Sequence, residues 1–147
     1  MPLVRSLAGL VGAQAALRGR FDEVRRTLER GELVACRVAL ADFHARLRRW
    51  TEAEEGALLP AVLRAGVAGR DPRRELRLEW MQLTELSRYL LAQVVEGAPA
   101  SDLAGLMVNL DRRLTAHEAQ LDRFYFPAAV AGLTAEEWQR LEMGAPG

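Results

Sequence analysis

The apolar residues of this chain recur at helical spacing with almost no interruption. Leu7, Leu10, Gln14, Leu17, Phe21, Val24 and Leu28 are separated by three, four, three, four, three and four positions, so all seven fall on one stripe of an α-helix. The same kind of spacing links Cys36, Leu40, Phe43, Leu47, Trp50, Glu54 and Leu58. It returns in Leu76, Trp80, Leu83, Ser87, Leu90 and Val94, and again in Leu103, Leu106, Leu110, Leu114, His117, Leu121 and Phe124. Four such stripes must cover one another, which predicts helices packed on helices. Composition points the same way: Ala, Leu, Arg and Glu supply 24, 24, 20 and 14 of the 147 residues, while Val and Thr supply 11 and 5 and isoleucine is absent.

Punctuation divides the chain into four long helical segments and a short fifth. The first is expected from about Leu3 to Arg30, stopped by Gly31, and the second from about Glu32 to Gly66, with Pro60 kinking or ending it. Asp71-Pro72 reads as an N-cap with proline at the first helical position, opening a third helix that reaches about Glu96. After the Gly97-Ala98-Pro99 loop, Ser101 or Asp102 is expected to cap a fourth helix ending near Pro127. Thr134-Ala135-Glu136-Glu137 reads as a capping box for the fifth, with Trp138 covering one end of the assembly. Short loops between long helices predict antiparallel neighbours, hence an all-α, up-down-up-down four-helix bundle in a single domain spanning residues 1–147.

Charge restricts the partners. Twenty basic residues, all arginine, balance 20 acidic ones, so no net positive field draws the chain to nucleic acid or to an acidic membrane. No stretch approaches 18 apolar residues, and the short run Leu7 to Ala13 behind Arg5 carries Gly9 and Gly12 and continues the leucine spacing, which argues against a signal peptide. A cytoplasmic location is expected. With one cysteine no disulfide framework exists, and Cys36, lying on an apolar stripe, is expected to be buried as a small hydrophobe. Glycine-rich phosphate loops, nucleophile elbows and Cys-x-x-Cys pairs are missing, which argues against the common nucleotide, hydrolase and redox classes.

The stripes carry three polar anomalies, Gln14, Glu54 and His117, and an internal repeat relates them. Trp50, Glu54, Glu55 and Pro60 align with His117, Leu121, Asp122 and Pro127 at an offset of 67, while Gln14 and Leu17 align with Trp80 and Leu83 at an offset of 66. The chain is therefore read as two helical hairpins of one plan.

Across residues 3–127 the sequence resembles the hemerythrin-like, or HHE cation-binding, family. Arg48 to Pro60 resembles the family's second-helix motif with Trp50 in the histidine position, and His117 to Pro127 resembles the fourth-helix motif with Leu121 in the glutamate position. Glu79-Trp80 stands where the family has Glu-His, and Gln14 where it has His. The resemblance implies a four-helix bundle around a non-haem di-iron centre that binds dioxygen. Its six ligand positions become Gln14, Trp50, Glu54, Trp80, His117 and Leu121 here, of which Glu54 and His117 alone keep a metal-binding side chain. An indole N–H only donates and leucine offers nothing, so a degenerate site without a di-iron centre, filled by the bulky replacements, is expected.

Glu54 and His117 are then expected to form a buried hydrogen-bonded pair, with Gln14 or water as a further partner. The alternative is a residual mononuclear iron or zinc site completed by Glu118, Asp122 or His44, although His44 alone reads as a partly exposed flanking residue. A third reading is a small-ligand carrier with a core cavity near Trp50 and Trp80. The function expected overall is a non-enzymatic binding or interaction module with no cofactor, whose partner is a protein or a small ligand. A second apolar edge on the second helix, Val34, Val38, Ala41, Leu59, Val62 and Leu63, predicts a homodimer through that helix.

Overall fold

Local signals in the sequence set where each helix starts and stops. A computed structural model describes residues 5–147, and among the described residues every regular element is helical. Ser6 caps α1 (Leu7–Glu29) by accepting from the Gly9 amide, so the expected start near Leu3 lies outside the described residues. Gly31, at φ 69°, supplies the left-handed turn that lets the chain reverse into α2 (Leu33–Ala53). Asp71 accepts from the Arg74 amide ahead of α4 (Pro72–Glu96), and Gly97 ends that helix in the left-handed conformation.

The second and fourth long segments differ from the expected plain helices. Each contains a widened π turn just before its proline: Glu54–Leu58 leads into α3 (Leu59–Ala65), and Leu121–Tyr125 follows α5 (Ala100–Gln120) and leads into α6 (Phe126–Val130). The Leu59 amide donates to the Glu54 carbonyl and the Phe126 amide to that of Leu121, a five-residue span instead of four. Pro60 and Pro127 lack an N–H, and in a regular helix their rings would strike the carbonyls of Gly56 and Arg123. The wide turn makes room: the second segment runs through Pro60 to Ala65, beside the expected end at Gly66, and the fourth continues to Val130, past its expected end near Pro127. At the first turn the released Gly56 carbonyl accepts from Arg140 on α7 (Ala135–Gly144) at 3.1 Å.

α1 packs along α2, α2 along α4 and α4 along α5, while α1 also touches α5 and α6. α7 lies against α2 and the first wide turn, held by the expected Thr134–Glu137 capping box and by Arg64, which binds Glu137 and the Gly132 carbonyl. Trp138 is partly buried against the core. The stripes form the interior: Leu10, Leu17, Phe21, Leu40, Phe43, Leu47, Leu83, Leu90, Leu110 and Leu114 are all buried, and so is Cys36, whose thiol burial pushes up.

Several expectations fail in detail. Leu7 is 41% exposed, and Met107, four residues beyond Leu103, takes the buried position expected of Leu106. Ser101 and Asp102 do not cap α5. Pro99 precedes the helix without a side-chain cap, so both residues fall inside the first turn, where Asp102 meets the positive end of the helix dipole. Leu59 and Val62 are buried rather than part of an outer edge. The extra residue of the wide turn rotates everything downstream by roughly 100° and brings these two inward.

Candidate functional site

Three ring N–H groups on successive helices each find an oxygen on the helix before. Trp50 on α2 donates its indole Nε1–H to Gln14 Oε1 on α1 at 2.9 Å. Trp80 on α4 donates in the same way to Glu54 Oε2, at the start of the first wide turn, at 2.7 Å. His117 on α5 places Nδ1 2.6 Å from Glu79 Oε1 on α4. Its second nitrogen, Nε2, lies 3.3 Å from Glu54 Oε2. Gln14, Trp50, Glu54, Trp80, His117 and Leu121 are all buried, so these contacts lie in the interior.

Each ring nitrogen of His117 faces a carboxyl oxygen, so the protonated ring can donate on both sides. Burial alone would lower its pKa, but Glu54 and Glu79 outweigh burial and raise it from 6.5 to about 9. The expected Glu54–His117 pair is thus present with a third member, Glu79, which sequence reading noticed only as a neighbour of Trp80. Gln14 does not join the pair as expected, because the Trp50 indole claims its oxygen. Among the described residues, Gln14 Nε2 and Glu54 Oε1 have no hydrogen-bond partner.

The residues that would have completed a metal site are engaged elsewhere. Glu118 binds Arg18, which also reaches Asp111 at 2.5 Å and Thr115 at 2.9 Å. Asp122 is exposed. His44 is half-buried, as expected for a flanking residue, with Nδ1 2.6 Å from the Ser87 hydroxyl. Glu54 Oε2 already faces two ring nitrogens, those of Trp80 and His117. Among the described residues no three His, Cys, Asp or Glu side chains are placed to share an ion. The donor set does not fit a di-iron or a mononuclear centre.

A second polar cluster, not foreseen from the sequence, lies at the other wide turn. Tyr125 is buried and donates its hydroxyl to Glu75, while Arg70 donates to Glu75 at 3.1 Å, to Tyr125 at 3.3 Å and to Gln120 at 2.6 Å. The Arg70 guanidinium also sits 4.0 Å over the Phe124 ring. Burial, helped by Glu75, pushes the Tyr125 phenol up to about 12, so it stays protonated and acts as a fixed hydrogen-bond donor. Nothing in the periodicity marks this cluster, because Arg70 lies in a loop.

Fold and site together define an all-helical protein whose polar centre is closed upon itself. Comparison with protein-family models, with curated proteins and with solved structures found no match.

Proposed function

We propose that the chain is an up-down-up-down four-helix bundle of the hemerythrin-like plan in which hydrogen bonds among its own side chains have replaced the metal centre. On this reading it is a cytoplasmic, non-enzymatic binding or interaction module that self-associates through α2. The observation that carries the reading is the relay of ring donors, Trp50 to Gln14, Trp80 to Glu54 and His117 to Glu79. All three donors stand where the resemblance puts histidine ligands, two of them as tryptophans, and are spent on protein oxygens instead of on a cation. The succession of contacts from α1 through α2, α4 and α5 supports the bundle, and the two wide turns, 67 residues apart, support the duplicated hairpin.

Elemental analysis of untagged protein from cells supplemented with iron and with zinc, together with its visible absorption spectrum, tests the reading. The expected result is folded, colourless protein with metal far below one ion per chain. Stoichiometric iron or zinc overturns it and makes Glu54 and His117 ligands after a rearrangement of the pair.

A further inference from the structure

α1 packs closely along α2 but touches α5 more lightly, and toward the start of α5 the seam between α1 and α5 opens into a groove of about 420 Å³. Short side chains open it. Ala100 and Ala104 stand one turn apart on α5 and cannot reach across to α1, while Leu28 and the buried Met107 form the floor and the exposed Val108 one wall. Farther along α5 the seam is closed by ion pairs: Arg18 reaches Asp111 and Glu118, and Arg25 reaches Asp111 at 3.3 Å.

The charges around this groove do not cancel. Asp22, Asp111 and Glu118 share the guanidiniums of Arg18 and Arg25, three carboxylates on two cations. Glu29, on the rim, is exposed and makes no ion pair among the described residues: Arg25 and Arg26 are turned to Asp22, Asp111 and Glu23, and Arg30 lies beyond ion-pair distance of it. Glu29 is also the last residue of α1, at the negative pole of that helix. The positive pole of α5, at the same end of the groove, is met by Asp102. An apolar cleft edged with surplus carboxylate suits a ligand that is apolar in body and positive at one end.

We propose that this groove binds a small organic cation with an apolar body, its ammonium set against Glu29 and its body laid on Leu28, Met107 and Val108. The volume lies within the roughly 300–1,000 Å³ of small-molecule sites. A primary ammonium carries three N–H donors on one atom, so it can bind Glu29 and still meet water at the open rim. The proposal gives the binding-module reading a ligand class. The groove lies several turns along α1 from Gln14, so the proposal stands or falls independently of the metal content of the interior.

The test is a titration of the intact protein with 2-naphthylmethylamine at neutral pH and low salt, followed by calorimetry and by the methyl resonances of Met81, Met107 and Met143. One saturable site is expected, with the Met107 resonance moving and those of the exposed Met81 and Met143 unchanged. Glu29→Gln should bind the amine about fivefold more weakly, the size of an exposed ion pair, and the native protein should bind the neutral 2-naphthylmethanol more weakly by a similar factor. Ala104→Phe, altered at an exposed position on the groove, should abolish binding while leaving the helical circular dichroism spectrum unchanged. Failure of the amine to saturate at millimolar concentration, equal affinity for amine and alcohol, full affinity of Glu29→Gln or of Ala104→Phe, or a methyl response confined to Met81 and Met143 would overturn the proposal.

Discussion

His117 is held by two carboxylates on opposite sides of its ring, and the consequences of removing it follow from what it leaves behind. Replacing His117 with Leu strips Glu54 of its cation at a position with no solvent exposure, and breaking a buried pair from one side costs about 3–5 kcal/mol. Changing Glu54 to Gln in the same protein removes the stranded charge while keeping an oxygen for the Trp80 indole, so His117→Leu/Glu54→Gln should be clearly more stable than His117→Leu. Urea unfolding of the two variants measures this, and equal midpoints would refute the coupling. The same residue sets a pH dependence. Its pKa rises from 6.5 to about 9 on folding, so its contribution is fully present below pH 6.5 and is lost as the pH climbs through about 9. Cys36 and Tyr125, whose pKa values are also raised, shift stability in the same direction, but only from their ordinary values of 9.0 and 10.0 upward. The window between pH 6.5 and 9 therefore belongs to His117: the native protein should lose stability there, and the double variant should not. Glu54 and His117 were legible as anomalies because they interrupt an apolar stripe. Glu79 was not, since its carboxyl starts from a half-exposed position beside the stripe and reaches in.

At the scale of elements, the wide turns show what periodicity conceals. A π turn adds one residue, and a stripe spaced three and four absorbs that residue as one more four, as in Trp50, Glu54 and Leu58. Pro60 and Pro127 signalled a disturbance, but a proline alone does not distinguish a broken helix from a widened one. Helix ends were easier to read, because Gly31, Asp71, Gly97 and the Thr134 capping box each act within a few residues of themselves. Glycines inside the helices separate packing from propensity. A methyl group added at Gly144 would sit 2.5 Å from the Ala53 side chain and 3.0 Å from the Arg49 carbonyl, where α7 lies against α2. Gly144→Ala should push α7 away and cost about 1–3 kcal/mol. At Gly12 and Gly19 in α1 a methyl meets nothing, so alanine there should stabilise by about 0.5–1 kcal/mol each through helix propensity. Thermal unfolding of the three single variants checks the opposite signs.

For the whole molecule, the stripes found most of the core up to the wide turns, since burial in a helical protein follows spacing that the sequence displays directly, but they missed Leu59, Val62, Tyr125 and Phe126 in and beyond those turns. What they could not rank was the outer surface. Of the edge expected to self-associate, Leu59 and Val62 belong to the interior, while Val34 and Val38 remain 81% and 66% exposed, with Leu33 half-exposed beside them. Two valines a turn apart on the outside of α2 are costly in water and gain by meeting an apolar surface, and a two-fold axis through α2 would let each copy cover the other. The proposed dimer then depends on few residues. Val34→Glu/Val38→Glu would place two carboxylates from each copy against those of the other, while in the isolated chain the same side chains would point into solvent. Sedimentation equilibrium should therefore give a dimeric mass for the native protein and a monomeric mass for this variant, with an unchanged helical circular dichroism spectrum. A native protein that stays monomeric at micromolar concentration would show that the remaining exposed edge is too small to hold two copies together, and that α2 serves the fold alone.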